Sequence, residues 1–191
     1  MSNRTAETSV AITPVQAERW SPRSFDPSHT MTMADLTASF EAARWSASAN
    51  NIQPWRFIVA FRGDDLWQKI MDSLAGFNAA WAHTASAIVL NVAIEANPEG
   101  KANPWARYDL GQSVAHFSVQ AHAQGLMVHQ FSGFARDDVK AQLELPEQYT
   151  IVSASAVGKL GDPDALGEEL GQRERAPRER LPLDEIVRVG A

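Results

Sequence analysis

The chain has 191 residues, of which 45% are hydrophobic and 21% charged, enough to build one compact domain with a buried core. Its formal net charge of −6 argues against a broad basic face, so neither nucleic acid nor a membrane surface is an expected partner. Cysteine is absent, which excludes disulfides, thiolate metal sites and thiol catalysis.

Residues 1–9 are polar and are expected to fray, without the apolar run of a secretion signal, so the expected location is cytoplasmic. A weak helical pattern covers Val10 to Trp20, and the prolines of RWSPRSFDP then impose a turn or an extended path. Thr32 is placed to cap a helix running to Arg44, with Leu36, Phe40 and Ala43 on one face. WRFIVAF, from Trp55 to Phe61, predicts a buried strand. Asp64 precedes a helix carrying Leu66, Trp67, Ile70 and Leu74 at helical spacing, with Gly76 as its terminator.

Ala87 to Ile94 predicts a second buried strand; it belongs to the longest apolar stretch, about half the ~20 residues a membrane span needs. Pro104 to Gln124 predicts the longest helix, closed by Gly125 and dotted with Gly111, Ser113, Ala115, Ser118 and Ala121, a pattern suited to close helix packing. Met127 to Phe131 predicts a third strand, Asp137 to Leu143 a short helix, Tyr149 to Val157 a further strand, and Asp164 to Leu170 a last helix. Residues 173–191 form a charged tail in which Leu181-Pro182-Leu183 is expected to dock. Helices and strands alternate without regular βαβ spacing, so the predicted class is α+β, in one domain spanning 1–191.

Two arginine segments are candidates for anion recognition. In Arg19-Trp20-Ser21-Pro22-Arg23, forked guanidinium donors flank a serine hydroxyl and can converge on a phosphate. Two solvated arginines beside a turn are the alternative. In the tail, Arg173, Arg175, Arg178 and Arg180 alternate with Glu174 and Glu179, a pattern that also suits a solvated face. If the tail docks in extended form, Arg178 and Arg180 point the same way. Between them, Ser46 to Phe57 joins a helix to a strand through Ser48, Asn50, Asn51 and Gln53. That loop can hydrogen-bond a planar polar ligand or simply satisfy its own turns.

Four segments in order, from about Arg19 to Val187, resemble the nitroreductase family of FMN-dependent flavoproteins. RWSPRSF is similar to that family's Arg-Arg-Ser-x-Arg-x-Phe opening, with Trp20 at the second arginine. ASANNIQPWRF is similar to its Pro-Ser-x-x-Asn-x-Gln-Pro-Trp motif, with Ala47 at the proline. Asp109-Leu110-Gly111 with Gly125-Leu126 resembles its central helix, and RERLPLDEIV its C-terminal ending.

The resemblance implies a mainly antiparallel sheet flanked by helices and an intertwined homodimer holding FMN between its subunits. Arg19, Ser21, Arg178 and Arg180 would grip the phosphate, with Trp20 beside them, and Arg23 would lie along the N1–O2 edge of the ring. Ala47, Ser48 and Asn51 would reach the flavin from the partner subunit, and Asn78 would face the pyrimidine edge. Gln130, Phe131, Ser132 and Gly133 would pack near the ring, with a backbone N–H aimed at N5.

The implied activity is a ping-pong transfer from NAD(P)H to a nitroaromatic, quinone or other electron-poor aromatic acceptor. Alternatives on the same fold are a flavin-dependent dehydrogenase, a flavin-fragmenting enzyme, or a flavin-binding protein with little turnover. Trp81 stands where many relatives carry a second cation; with Phe77, Trp105 and Tyr108 it is either a pocket wall or plain packing. His29, His83, His116, His122 and His129 show no metal-ligand spacing, and no GxGxxG, Walker A or Gly-x-Ser-x-Gly motif occurs.

Overall fold

The structure, a computed structural model, describes residues 4–97 and 99–190. In chain order it runs α1 (Pro14–Glu18), α2 (Met33–Arg44), β1 (Trp55–Phe61), α3 (Asp65–Ser73), β2 (Ala87–Ile94), α4 (Ala106–Ala123), β3 (Met127–Phe131), α5 (Arg136–Gln142), β4 (Tyr149–Gly158), α6 (Gly167–Arg175) and α7 (Leu183–Ile186). The four strands form one sheet in the order β1-β2-β4-β3, and every pairing is antiparallel. The α+β class and the antiparallel sheet are as the sequence predicts.

Strand β2 explains the layering. Its side chains alternate between faces, and both faces are covered, so AIVLNVAI is buried almost throughout. Ile88, Leu90 and Val92 pack with Trp67 and Ile70 of α3, Val139 of α5 and Leu170 of α6. Ala87 and Val89 pack on the opposite face with Leu36 and Ala43 of α2 and Phe117 and Ala121 of α4. Asn91, on this second face, donates to Ser153 and Ser155 at 3.0 and 2.9 Å, so its burial leaves no stranded amide donor there.

Several boundaries differ from the sequence expectation. Helix α3 stops at Ser73 rather than Gly76, because Leu74 leaves the helix to bridge Phe134, and short 3-10 turns fill 76–80 and 82–84. Helix α6 extends to Arg175, so the charged run begins inside a helix, with Arg173 paired to Glu169 one turn back. The N-terminal segment, expected to fray, is tied down from Arg4 onward: Arg4 donates to the Ala176 carbonyl at 2.8 Å and lies over the Trp20 ring. The part of that expectation concerning residues 1–3 lies outside the described residues. Leu181 and Leu183 do not dock on their own chain; they are 64% and 53% exposed. No helix of the described residues is long and apolar enough to cross a membrane.

Candidate functional site

The segment Arg19–Phe25 leaves α1 and crosses the end of the sheet as a turn held from several sides. His129 of β3 hydrogen-bonds the Pro22 carbonyl through Nδ1 at 2.9 Å. Glu174 of α6 accepts the backbone N–H groups of Arg23 and Ser24 at 2.8 and 3.1 Å. Ser24 Oγ donates to the Asp162 carbonyl at 2.6 Å, and Phe25 is buried against Trp81. Burial is the main cause that pushes the His129 ring down to about 4, so it is neutral at pH 7 and donates to Pro22 rather than carrying charge.

At the start of this turn four arginines meet. Arg178 donates to the carbonyls of Arg4, Ala17 and Arg19, which brings the tail back onto α1. Burial, then the charges of Arg19, Arg180 and Arg4, pull the Arg178 guanidinium below its usual range; burial and then Arg180 do the same to Arg19. Among the described residues none of the four is paired to a carboxylate. Mutual repulsion without a counter-ion is unfavourable in the empty cluster and is relieved by a bound anion. Arg4 Nε and His122 Nδ1 are buried without a hydrogen-bond partner among the described residues, and His122 lies in the field of Glu18 and then of Arg19 and Arg178. The donor set therefore fits a phosphate dianion.

From these arginines a cleft of about 440 Å³ runs along α4. Arg19, Ser21, Ser118 and Gln130 line one part; Arg107, Gly111, Val152 and Ser153 are among the rest. Gln130 donates to Ser118 Oγ at 2.5 Å, which fixes its amide against α4. A cleft of this size with a few polar groups suits a small-molecule cofactor.

The other expected residues are placed differently. Trp20 is half-buried against the core, and its indole carries Arg4 at 4.3 Å. Arg23 projects toward Phe77, its guanidinium carbon 5.3 Å from the ring centroid, outside the cleft lining. Asn78 donates to the Gly133 carbonyl at 3.3 Å, and a Cβ at Gly133 would stand 2.6 Å from the Asn78 amide nitrogen, so a side chain there would displace the Asn78 amide. Phe131 is buried in the core while Ser132 and Gly133 are exposed at the end of β3. Arg180, though within the field of Arg19 and Arg178, stays exposed, and among the described residues it donates to the Glu179 carbonyl alone.

Ala47, Ser48 and Asn51 do not join this group within one chain. Their loop is anchored near the start of α4, where buried Asp109 accepts the Ala49 N–H at 3.1 Å. His122, beside the arginines, lies thirteen residues further along the helix, about 20 Å away at 1.5 Å per residue. Asn50, Asn51 and Gln53 all have positive φ, with Ser48 Oγ accepting the Gln53 N–H to hold the bend. Trp81 is fully buried between Phe25, His129 and Phe131, with its indole N–H left without a partner among the described residues; it is core packing rather than a pocket wall. Trp105 and Tyr108 are exposed on the first turn of α4.

Sequence reasoning missed Arg4, Arg107, His122 and Glu174 as neighbours of these groups. None lies in a recognisable motif, and only the mixed charge of the tail hinted at Glu174. Among the described residues no cluster of three or more His, Cys, Asp or Glu side chains is placed to hold a metal ion.

Comparison with known proteins agrees with this architecture. The model of the nitroreductase family matches residues 17–86 and 72–159. A 15.4 kDa protein of Mycolicibacterium smegmatis encoded in the ask 5′ region, of uncharacterised function, is 33% identical over 144 residues, covering 71% of this chain and 95% of that one. The major NAD(P)H-flavin oxidoreductase of Aliivibrio fischeri is 37% identical over 75 residues, 38% of this chain and 34% of its own length. The crystal structure of an FMN-containing oxidoreductase superposes with a TM-score of 0.92 at 29% identity, covering 100% of this chain and 98% of that one. By its fold and by the match of most of its length, the chain belongs to the nitroreductase family.

Proposed function

We propose that the chain is an FMN-dependent, NAD(P)H-linked oxidoreductase that works as an intertwined homodimer. The observation that carries this reading is the cluster of Arg4, Arg19, Arg178 and Arg180, which has no carboxylate partner among the described residues and meets a cleft of about 440 Å³ through Arg19. The flavoprotein relatives support it. FMN, when bound, would supply the two-electron chemistry that links NAD(P)H to a nitroaromatic, quinone or similar acceptor.

The chain's own residues would bind and orient it. Arg19, Ser21, Arg178 and Arg180 would hold the phosphate through charge-assisted hydrogen bonds worth roughly 1.5–3 kcal/mol each. Arg23, on the clamped turn, would lie along the pyrimidine edge and favour negative charge there. Asn78 and the Gln130–Gly133 segment would border the ring, and Phe77 would form an aromatic wall.

A partner subunit would complete the site. Gly111 and Ala115 are exposed one turn apart on α4, and a Cβ on Gly111 would meet nothing within 4 Å, which leaves room for a second helix. Antiparallel packing of α4 on its symmetry mate carries the partner's 47–51 loop from the Asp109 end to the arginine end. The tail supplies the second contact: Leu181, Leu183, Ile186, Val187 and Val189 are all more than half exposed. Burying each would contribute about 1.5–3 kcal/mol. A groove of about 300 Å³ between α2 and the edge strand β1, lined by Met33, Phe40, Trp55, Phe57 and Val59 together with Arg44 and Arg56, offers an apolar floor of matching character.

Anaerobic stopped-flow mixing of the yellow holoprotein with NADH and with NADPH tests the reading. Bleaching by at least one donor, followed by recolouring with a nitroaromatic or quinone, is expected. Bound flavin that neither donor reduces would overturn the NAD(P)H-linked reading and leave a flavin-dependent dehydrogenase, a flavin-fragmenting enzyme or a flavin-binding protein with little turnover. A monomeric active holoprotein in sedimentation would overturn the shared site.

A further inference from the structure

Glu174 is the only acidic side chain among the described residues that is fully buried beside the arginine turn, 2% exposed on the last turn of α6. One of its oxygens accepts two consecutive backbone N–H groups, those of Arg23 and Ser24, at 2.8 and 3.1 Å. The other oxygen is buried and has no hydrogen bond; the nearest cation is Arg23 Nη1 at 3.9 Å. Arg23 Nε is likewise buried and unpartnered. Two complementary buried groups thus stand next to each other without closing the bond between them. The Arg23 guanidinium lies instead toward Phe77, on whose ring Arg173 also stacks at 4.8 Å.

A buried carboxylate with an idle oxygen is unfavourable unless its charge is used elsewhere. Here its geometry does two separate things. Accepting both N–H groups fixes the direction in which Arg23 leaves the turn. Standing 3.9 Å from the guanidinium, it also offsets part of the positive charge that Arg23 presents. The two functions separate chemically, because an amide oxygen can do the first but not the second.

We infer that Glu174 is a positioning residue for Arg23: it clamps the Arg23–Ser24 backbone and moderates the charge that Arg23 applies to the flavin. The second half rests on the reading that the site holds FMN with Arg23 at the ring. A bound flavin in this chain is therefore less easily reduced than Arg23 alone would make it. Glu174 and Arg23 act as one unit on the flavin potential, and the backbone clamp acts whether or not flavin is present.

The test compares Glu174→Gln and Glu174→Ala with the unaltered holoprotein, and adds Arg23→Gln with Glu174→Gln for a double-mutant cycle. Spectroelectrochemical titration of Glu174→Gln should shift the flavin equilibrium toward the reduced form by roughly tenfold, about 30 mV for a two-electron couple. The shift should shrink when Arg23 is already Gln. Amide hydrogen exchange without flavin should be faster at Arg23 and Ser24 in Glu174→Ala but near normal in Glu174→Gln. An unchanged potential with flavin bound overturns the charge role while leaving the flavin reading intact. A protein that binds no FMN overturns that reading and the charge role together. Unchanged exchange in Glu174→Ala overturns the clamp.

Discussion

The Arg19–Phe25 turn and the Ser46–Gln53 loop lie in different chemical situations. The turn is held by its own chain: His129 takes the Pro22 carbonyl, Glu174 the next two N–H groups, and Phe25 plugs into the core. The loop is tied to α4 at two points, Ser46 Oγ on His116 Nδ1 at 2.7 Å and the Ala49 N–H on Asp109, and beyond them keeps three residues at positive φ with Ala47 and Asn51 exposed. Left-handed conformations are tolerated by Asn but are unfavourable for Gln53, so that bend persists only because its surroundings impose it. On the proposed reading, the contrast separates an anion end that one chain can finish from a loop end that would serve a partner subunit.

The largest expected effect breaks the turn's half of this contrast. Replacing Arg19 and Arg180 together by Ala should weaken FMN binding by about 10²–10⁴-fold while riboflavin binding changes little. Calorimetric titration with both ligands decides it, and equal losses would remove the phosphate assignment. Ala115→Arg attacks the loop's half by overpacking the exposed face of α4. It should give a monomer in sedimentation and lower flavin affinity by about 10–100-fold. A dimer with normal affinity would show that α4 is not the contact.

A smaller change is expected of Asp109→Ala, which strands the Ala49 N–H. Flavin affinity should fall about tenfold with only modest loss of melting temperature, and affinity equal to the parent would mean that the loop does not reach the flavin. The last effect concerns His129 and bears on stability rather than on flavin binding. Its unfolded ring titrates near 6.5 and its folded ring near 4, so the stability due to its neutral state is complete above pH 6.5. As pH falls from 6.5 toward 4, the unfolded chain takes up the proton first and stability declines; below 4 the slope levels. Urea unfolding across this window should show the decline, and His129→Asn should flatten it.

Periodicity and turn chemistry were sufficient for the local elements. The apolar runs at Trp55–Phe61 and Ala87–Ile94 could hardly be other than strands, and the small-residue helix before Gly125 was legible at nearly its true length. Boundaries slipped where tertiary contacts intervened: Leu74 left its helix to bridge Phe134, and α6 ran on to Arg175. The candidate arginines were legible because they sit in spaced clusters, one around Ser21 and the other alternating with glutamates in the tail. Arg4 and Glu174 were not, because their partners lie 172 and 151 positions away and no local pattern encodes such distances.

Alone, the sequence determined the α+β class and the order of the elements, and it named two arginine segments as candidates for an anion, since these follow from spacing and side-chain chemistry. Only the tertiary structure decided which arginines converge without a carboxylate, that Trp81 is core, and that Glu174 lies behind Arg23. It also separated the Ala47–Asn51 loop from the arginines by most of the length of α4. The physical reason is common to all four. Burial, charge compensation and helix length act through space between residues far apart in the chain, and a one-dimensional pattern carries no record of which of them meet.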